Sequence, residues 1–298
     1  MKKPISIIGV PMDLGQAKRG VDMGPAAMRY ADALERLIGL GYDVEDLGDL
    51  EIERPQVKET NEKLKNLKEV ARANRKLASL VSDVVSKGHF PLIFGGDHSI
   101  AIGSIAGISK YYKNLGVIWF DAHGDMNTKE TSPTGNIHGM PLAVNLGMGD
   151  DILTKIESGS PKIKPEHLTI IGVRSLDEGE KQMIRDFGIT VYTMHEVDRL
   201  GMAYIMEKTI AYFSKHTDGV HISFDLDSLD PLDAPGVGTP VLGGLTYRES
   251  HLAMEMLAES GIVTSAEFVE VNPILDERNK TAQTAVALIG SLFGEKLL

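Results

Sequence analysis

The sequence predicts an α/β fold: a mostly parallel sheet with helices on both faces. Three observations carry this reading. Seven short runs are β-branched and apolar at both alternating positions, as strands buried on two faces must be. Longer stretches between them place apolar residues at helical spacing. The two kinds of segment alternate from end to end, the pattern of a parallel sheet covered by helices. No internal repeat, low-complexity tract or linker-like Pro/Ser run divides the 298 residues, so residues 1–298 are read as one domain.

Taken in order, "ISIIGVP" is the first strand, and "GPAAMRYADALERLIGLG" (24–41) is a helix closing on glycine. Residues 48–66, "GDLEIERPQVKETNEKLKN", are the most charged irregular stretch and read as a solvated surface loop. A helix over "NLKEVARANRKLASLVSDVVSKG" leads to the strand "FPLIFGGD". "LGVIWFDAH" is the next strand and ends in the loop "NTKETSPTGNIHGMP". "LTIIGVRS" and "TVYTMH" are strands, and "GMAYIMEKTIAYFSKH" is a helix. The strand "GVHISFDLD" runs into the loop "DPLDAPGVGTPVLGG". The helix "TYRESHLAMEMLAESG", the strand "SAEFVEVNP" and the helix "NKTAQTAVALIGSLFGEKLL" complete the chain. The two unusual loops directly follow acid-rich strand ends, and open α/β sheets bind ligands outside the carboxyl ends of their strands.

Composition narrows the function. The net charge of −11 argues against nucleic acid and anionic membranes, both of which call for basic patches. The absence of cysteine excludes disulfides, thiolate metal sites and cysteine nucleophiles. No apolar run reaches the roughly 18 residues of a membrane span. "MKKPISIIGVPMDLG" is a poor signal peptide, because its apolar run is brief and Asp13 follows, so a cytoplasmic location is expected.

Three strand ends carry chemistry. "FGGDHS" offers His98, "FDAHGD" offers Asp121, His123 and Asp125, and "SFDLDSLD" offers Asp225 and Asp227. Residues i and i+2 of a strand share a face, so Asp121 aims with His123 and Asp225 with Asp227; Asp125 joins if the chain curls at Gly124. Singly, each acid could cap a helix or decorate a surface. Together at the rim of a buried sheet they repel one another and have raised pKa values, and a bound cation removes that cost. No Arg or Lys in these three segments offers the alternative compensation. Four carboxylates and two imidazoles are too many for one ion, whereas two divalent ions sharing carboxylates would use all six. Mn²⁺ suits this donor mixture; Zn²⁺, Co²⁺ and Fe²⁺ remain compatible, and Mg²⁺ favours fewer imidazoles. Two such ions, roughly 3.5–4 Å apart, can hold a hydroxide nucleophile at neutral pH, which makes metal-assisted hydrolysis the leading reaction class.

In order along the chain, "GGDHS", "DAHGDMNT", "SFDLDSLDP" and "EFVEVNP" resemble the arginase and agmatinase (ureohydrolase) superfamily. The likeness runs from "GVPMDLGQAKRGVDMGPAAMR" to the last helix and is greatest to bacillus-type arginases. It implies the arginase/deacetylase-like fold on a roughly eight-stranded sheet, with two Mn²⁺ per subunit. By motif match, one ion takes His98, Asp121, Asp125 and Asp225, and the other takes Asp121, His123, Asp225 and Asp227. It also implies hydrolysis of L-arginine to L-ornithine and urea by a metal-bridging hydroxide, in arginine catabolism.

Under the same resemblance, Glu270 pairs with the guanidinium, His138 shuttles a proton, and Asp125 belongs to the catalytic set. Asn127 and the Thr134 hydroxyl are expected at the α-carboxylate, Asp177 at the α-amine and Thr239 near the guanidinium, with Asn136 and Glu180 also among the substrate-binding residues. Arg174 and Glu180 are expected to orient Asp177, Asp230 to orient a metal ligand, and Arg248 and Glu249 to lie at a subunit contact of a homohexamer or homotrimer. Thr134 stands where the family usually has Ser, and Ser228 where Gly is common. The rival readings are agmatinase or another guanidino or formimino ureohydrolase, a single-zinc deacetylase-like hydrolase, and an inactive metal-binding subunit. The "NTKETSPTGNIHG" loop and Asp177 speak against the first, because they would have no α-carboxylate or α-amine to hold. The six-ligand set speaks against the second. The presence of all six with Glu270 and His138 speaks against the third.

Overall fold

The computed structural model describes residues 2–55, 63–157 and 159–298. Part of the charged stretch 48–66, residues 56–62, lies outside the described residues. Among the described residues, eight strands form one sheet: β1 Ile5–Val10, β2 Val44–Asp49, β3 Phe90–Gly95, β4 Leu115–Phe120, β5 Leu168–Val173, β6 Thr190–Thr193, β7 Gly219–Asp225 and β8 Val263–Val269. Their order is β2-β1-β3-β8-β7-β4-β5-β6, and every neighbouring pair is parallel. The helices are α1 Gly24–Tyr30, α2 Ala33–Gly39, α3 Leu67–Ser86, α4 Ala101–Ile108, α5 Pro141–Asn145, α6 Asp151–Thr154, α7 Glu178–Phe187, α8 Met194–Leu200, α9 Met202–His216, α10 Tyr247–Ser260 and α11 Lys280–Leu292.

Each central strand feeds two cores, because alternate side chains point to opposite faces. Ile118 and Phe120 of β4 join one core with α1, α2, α9, α10 and α11. Val117 and Trp119 join the other, with α3, α4 and α5. Register places Phe94, Phe268, Phe224 and Phe120 side by side across β3, β8, β7 and β4. Phe224 stacks on Phe120 at 5.1 Å and on Phe268 at 5.5 Å between ring centroids. This fully buried row lies one residue below the point where Asp121 and Asp225 leave the sheet, so it sets a rigid floor for them.

All seven strands read from sequence are present, and an eighth is added. β2 is an edge strand with four of its six residues exposed, and Arg29 pairs with its Asp46 and Asp49 at 2.7 and 2.5 Å. An edge strand buries little, so it leaves no apolar run to read. The helix expected over 24–41 is two helices, broken where Asp32 takes a left-handed φ of 63°. "TVYTMH" ends as a strand at Thr193, which caps α8 in a reciprocal box with Glu196. The last helix stops at Leu292.

The helices α4 to α8 went unread. In α4, "AIGSIAGI", every side is buried, so it has no polar face to give a helical period. Gly103 and Gly107 let α3 approach it; a Cβ on either would lie 2.5 Å from a backbone oxygen of α3.

Candidate metal centre and active site

The four central strands deliver their acids and histidines to one edge of the sheet. His98 follows β3 in a single 3₁₀ turn capped by Asp97. Asp121 follows β4, Asp225 ends β7, and Glu270 follows β8. Asp225 Oδ1 accepts the Asp227 N–H at 2.7 Å, which fixes the turn carrying the second acid. His98 Nδ1 lies 3.1 Å from Asp225, 3.3 Å from Asp121 and 3.2 Å from Asp125. His123 Nδ1 lies 3.3 Å from Asp121 and 3.2 Å from Asp227. Two potential metal clusters result, His98–Asp121–Asp225 and Asp121–His123–Asp227, each with donor atoms within 4.8 Å of one another. Asp121 belongs to both, whereas Asp225, the other acid expected to bridge, is grouped with His98.

The chain turns into this site at Asp125 itself, with a left-handed φ of 49°, rather than at Gly124. Glu270 is left-handed too, at 65°. Non-glycine residues held there carry local strain, which the surrounding structure must over-determine.

The donor set fits a cation. Ser223 Oγ donates to Glu267 at 2.7 Å, so it accepts from His98 Nε2–H at 2.8 Å. With Nε2 committed, Nδ1 faces three buried carboxylate oxygens. A proton there leaves the pocket negative; a divalent ion matches the charge and the nitrogen lone pair together. Trp119 stacks on His98 with centroids 3.9 Å apart and donates its Nε1–H to Asp121 Oδ2 at 2.8 Å. Trp119 is therefore more than strand core.

With protons as the only counter-charges, the site is strongly perturbed. Burial raises Asp225 well above the carboxylate range, reinforced by Asp227 and Asp121. Burial and Asp121 raise Asp125 to about 6. Asp121 is held low: burial opposes this, but hydrogen bonds from His123 and His98 prevail. Burial disfavours the His123 cation, yet Asp227 and Asp121 lift it to about 12. Surplus buried carboxylate charge of this kind is what metal binding relieves, with release of protons.

The neighbouring guanidinium, Arg174, does not neutralise the cluster through a direct ion pair. It donates to the backbone carbonyls of Gly172, Asp227, Ser228, Leu229 and Val241, bracing the Asp227 loop instead of Asp177. Asp230, expected behind a ligand, accepts the N–H groups of Leu232, Gly243 and Gly244 and ties two loops together. Glu249 accepts at the start of α10 in a capping box with Thr246, and Arg248 is exposed. Ser228 keeps an ordinary φ and donates its hydroxyl to Asp225 O at 2.6 Å, so serine is accommodated at that position.

The cluster opens into a cleft of about 190 Å³, whose walls include Asn127, Thr134, Asn136, Asp177 and Thr239. Asn127 Nδ2 donates to Asp177 Oδ2 at 2.7 Å, joining two strand ends across the mouth. Asp177 also caps α7 in a box with Glu180. Glu180 lines the cleft, yet its oxygens accept the backbone N–H groups of Met126 and Asp177. Burial and the nearby Asp125 raise it to about 7. Thr239 Oγ1 donates to Asp227 Oδ2 at 2.8 Å, and Asn136 Oδ1 accepts from Lys65 at 2.9 Å.

Glu270 lies buried beside the cleft. Its Oε1 accepts the His98 N–H at 2.9 Å and sits 3.3 Å from His138 Nδ1. Burial lowers the His138 pKa, but the hydrogen bond and charge of Glu270 more than reverse this, raising it to about 9. Sequence reasoning missed Ser223 and Glu267 behind His98. Ser223 carries a signal in its period-two spacing before Asp225, whereas Glu267 carries none, because its i+2 neighbour is the core residue Val269.

Thr134 Oγ1 accepts the Asn136 N–H at 3.2 Å, so its hydroxyl hydrogen is free to turn into the cleft as serine's would. The added methyl restricts χ1 without removing the donor. A Thr134→Ser variant is expected to gain less than about tenfold in kcat/KM for L-arginine, or about 1.4 kcal/mol. A larger gain in steady-state urea release would mean that the methyl obstructs the cleft.

Comparison with known proteins agrees with this geometry. Residues 3–294 match the Arginase family profile. An arginase of Bacillus caldovelox is 70% identical over 99% of this chain and 100% of its own length. The native structure of arginase from that organism superimposes with a TM-score of 0.98, covering 100% of both chains. An arginase from Entamoeba histolytica, solved in complex with L-ornithine, is 35% identical with a TM-score of 0.90, covering 98% of this chain and 99% of that one. With a family match over nearly its whole length and such identity end to end, the chain belongs to the arginase family.

Proposed function

We propose that the chain is an enzyme that hydrolyses the guanidinium of L-arginine to L-ornithine and urea, acting as a single domain with two Mn²⁺ per subunit. The observation that carries this reading is the arrangement of one cleft. Two His/Asp clusters share Asp121 at one end, and the Asn127–Asp177 pair stands in its wall. In the proposed site, His98, Asp121, Asp125 and Asp225 would hold one ion, and Asp121, His123, Asp225 and Asp227 would hold the other. When bound, such ions supply Lewis acidity and an activated water at neutral pH.

The chain's own residues do the rest. Glu270 offers the planar cation a carboxylate within a buried, low-dielectric pocket, where a charge-assisted hydrogen bond is strong. Asp177 accepts from the α-amine, and Asn127, Thr134 and Asn136 supply donors to the α-carboxylate. These contacts fix the length of the substrate along the cleft. As the C–N bond breaks, the departing amine needs a proton. His138, protonated at neutral pH beside Glu270, holds one at Nδ1 or Nε2 within the same cleft. Thr239 keeps Asp227 turned toward His123.

Side-by-side urea assays of the Mn²⁺-loaded protein on L-arginine and agmatine test the reading. Urea from agmatine alone would replace it with the agmatinase reading. Asp177→Asn sharpens the test, because its remaining oxygen still caps α7, while its NH₂ meets Asn127 Nδ2, which must turn. It is expected to raise KM for L-arginine about tenfold or more, the worth of a hydrogen bond to a charged group. The inhibition constant of 5-guanidinopentanoate, which lacks the α-amine but still meets Asn127, should weaken clearly less than KM for L-arginine does. Equal loss for both ligands would remove Asp177 from α-amine recognition.

No helix among the described residues is long and apolar enough to cross a membrane. A cytoplasmic homohexamer or homotrimer, in arginine catabolism and without nucleic-acid or membrane partners, is proposed with this reading. Light scattering of the purified protein reads the oligomer directly.

A further inference from the structure

The motif "DLGQAKRG" was not absorbed by the chemistry above, yet it runs behind the reacting end of the cleft. Leu14 O accepts from Asn66 Nδ2 at 2.8 Å, and Gly15 N–H donates to Asp97 Oδ2 at 2.8 Å. Gly15 O accepts the His138 N–H at 3.0 Å, and Lys18 donates to Gly238 O. Residues 14–18 therefore strap the His98 turn, the His138 turn and the Gly238 loop together. At the centre of the strap, Gln16 is buried and donates Nε2–H to Glu270 Oε2 at 3.2 Å, across 254 residues of sequence. A Cβ on Gly238 would lie 3.1 Å from Gln16 Oε1 and 3.6 Å from Glu270 Oε2, so the amide and carboxylate sit together under that loop.

A carboxylate has about four lone-pair sites. On Glu270 the two Oε1 sites face His98 N–H and His138, and one Oε2 site takes Gln16. The two oxygens turn together about a broad, two-fold terminal torsion, and one of the Oε1 contacts, to His138, is long at 3.3 Å, so a donor on Oε2 stiffens a twist that the Oε1 contacts leave soft. We infer that Gln16 is a positioning residue for guanidinium recognition: its amide locks the Glu270 carboxylate so that the remaining Oε2 lone pair meets the cation. This rests on the proposed reading of Glu270 as the guanidinium partner and adds the residue that aims it.

Dissociation constants test this separately from turnover. Butylguanidinium carries only the guanidinium end of the substrate, and L-norleucine carries only the amino-acid end. In calorimetric titrations of the Mn²⁺-loaded protein, Gln16→Met is expected to weaken butylguanidinium about tenfold or more, as loss of a hydrogen bond to a charged group should. Norleucine should stay within about twofold. Gln16→Glu places a like charge against Glu270 and should weaken butylguanidinium further still. KM for L-arginine should follow butylguanidinium in both variants, with kcat changed less than about threefold.

Unchanged butylguanidinium binding in Gln16→Met would overturn the inference. So would equal loss of both ligands, which would mark Gln16 as a support for the whole cleft, or a Gln16→Glu protein that binds butylguanidinium as well as Gln16→Met. A wild-type protein that does not bind butylguanidinium overturns it too. A wild-type protein that binds both ligands yet releases no urea counts against the proposed reaction and leaves the Gln16 comparison readable.

Discussion

Asp121→Asn is expected to cost the protein its full metal complement and at least about a hundredfold in kcat for L-arginine. Loss of a residue that merely orients a metal ligand costs 10–100-fold, and a shared ligand should cost no less. Asp121 is common to both donor clusters, so removing its charge weakens two sites at once. An amide cannot substitute quietly. Oδ2 accepts Trp119 Nε1–H and Oδ1 accepts the His123 N–H, so an NH₂ at either place sets a donor against a donor. The check is metal content per subunit, together with the rise in Tm on adding Mn²⁺. A ligand that binds only the folded state stabilises it by RT ln(1 + [L]/Kd), so wild type should show that rise and the variant should lose most of it. An Asp121→Asn protein with wild-type metal content and the same rise would remove Asp121 from the metal centre.

Glu270→Gln should leave metal content near wild type while lowering kcat/KM for L-arginine about 10²-fold or more. The substitution keeps shape but removes the only carboxylate that accepts from Gln16, the His98 N–H and His138 together. Breaking a buried pair by neutralising one partner costs about 3–5 kcal/mol, and each 1.36 kcal/mol is tenfold. The loss should fall on guanidinium ligands and spare L-norleucine. It should also change the pH profile. The folded His138 value is raised mainly by Glu270, after burial has opposed it, so the imidazole holds its proton until pH passes about 9. Without the anion that value falls, and the protonated form, with any stability it contributes, is lost at lower pH. An unmoved alkaline limb in the kcat profile would separate His138 protonation from Glu270.

The metal-cluster residues were legible because chemistry and strand position coincide there. Asp121 follows Trp119 and Phe120, and Asp225 follows Ile222 and Phe224, so an apolar run ending in acid marks both the strand and its functional end. Period-two spacing then added His123 and Asp227. Local spacing has nothing to say about Gln16, whose partner is 254 residues away, or about Arg174, whose guanidinium turns to backbone carbonyls. The same limit applies to the fold. β4 and β7, buried on both faces, are visible as runs, while β2 is largely polar because it closes an edge. The break at Asp32 leaves the helical period on either side intact, so 24–41 reads as one helix although the backbone turns within it.

The place of β8 in the sheet has a temporal consequence. It is the last strand in sequence, yet it sits between β3 and β7 and alone joins the block β2-β1-β3 to the block β7-β4-β5-β6. Until residues 263–269 emerge during synthesis, neither block can have its inner partner, and open edges invite mispairing. Asp121, His123 and Asp227 all belong to the later block, whereas His98 is on the earlier one. One cation pocket can thus take shape on a half-built sheet, while the other exists only after β8 has closed it. Under the proposed metal binding, occupancy of the His98 pocket would in effect be a receipt for a finished chain.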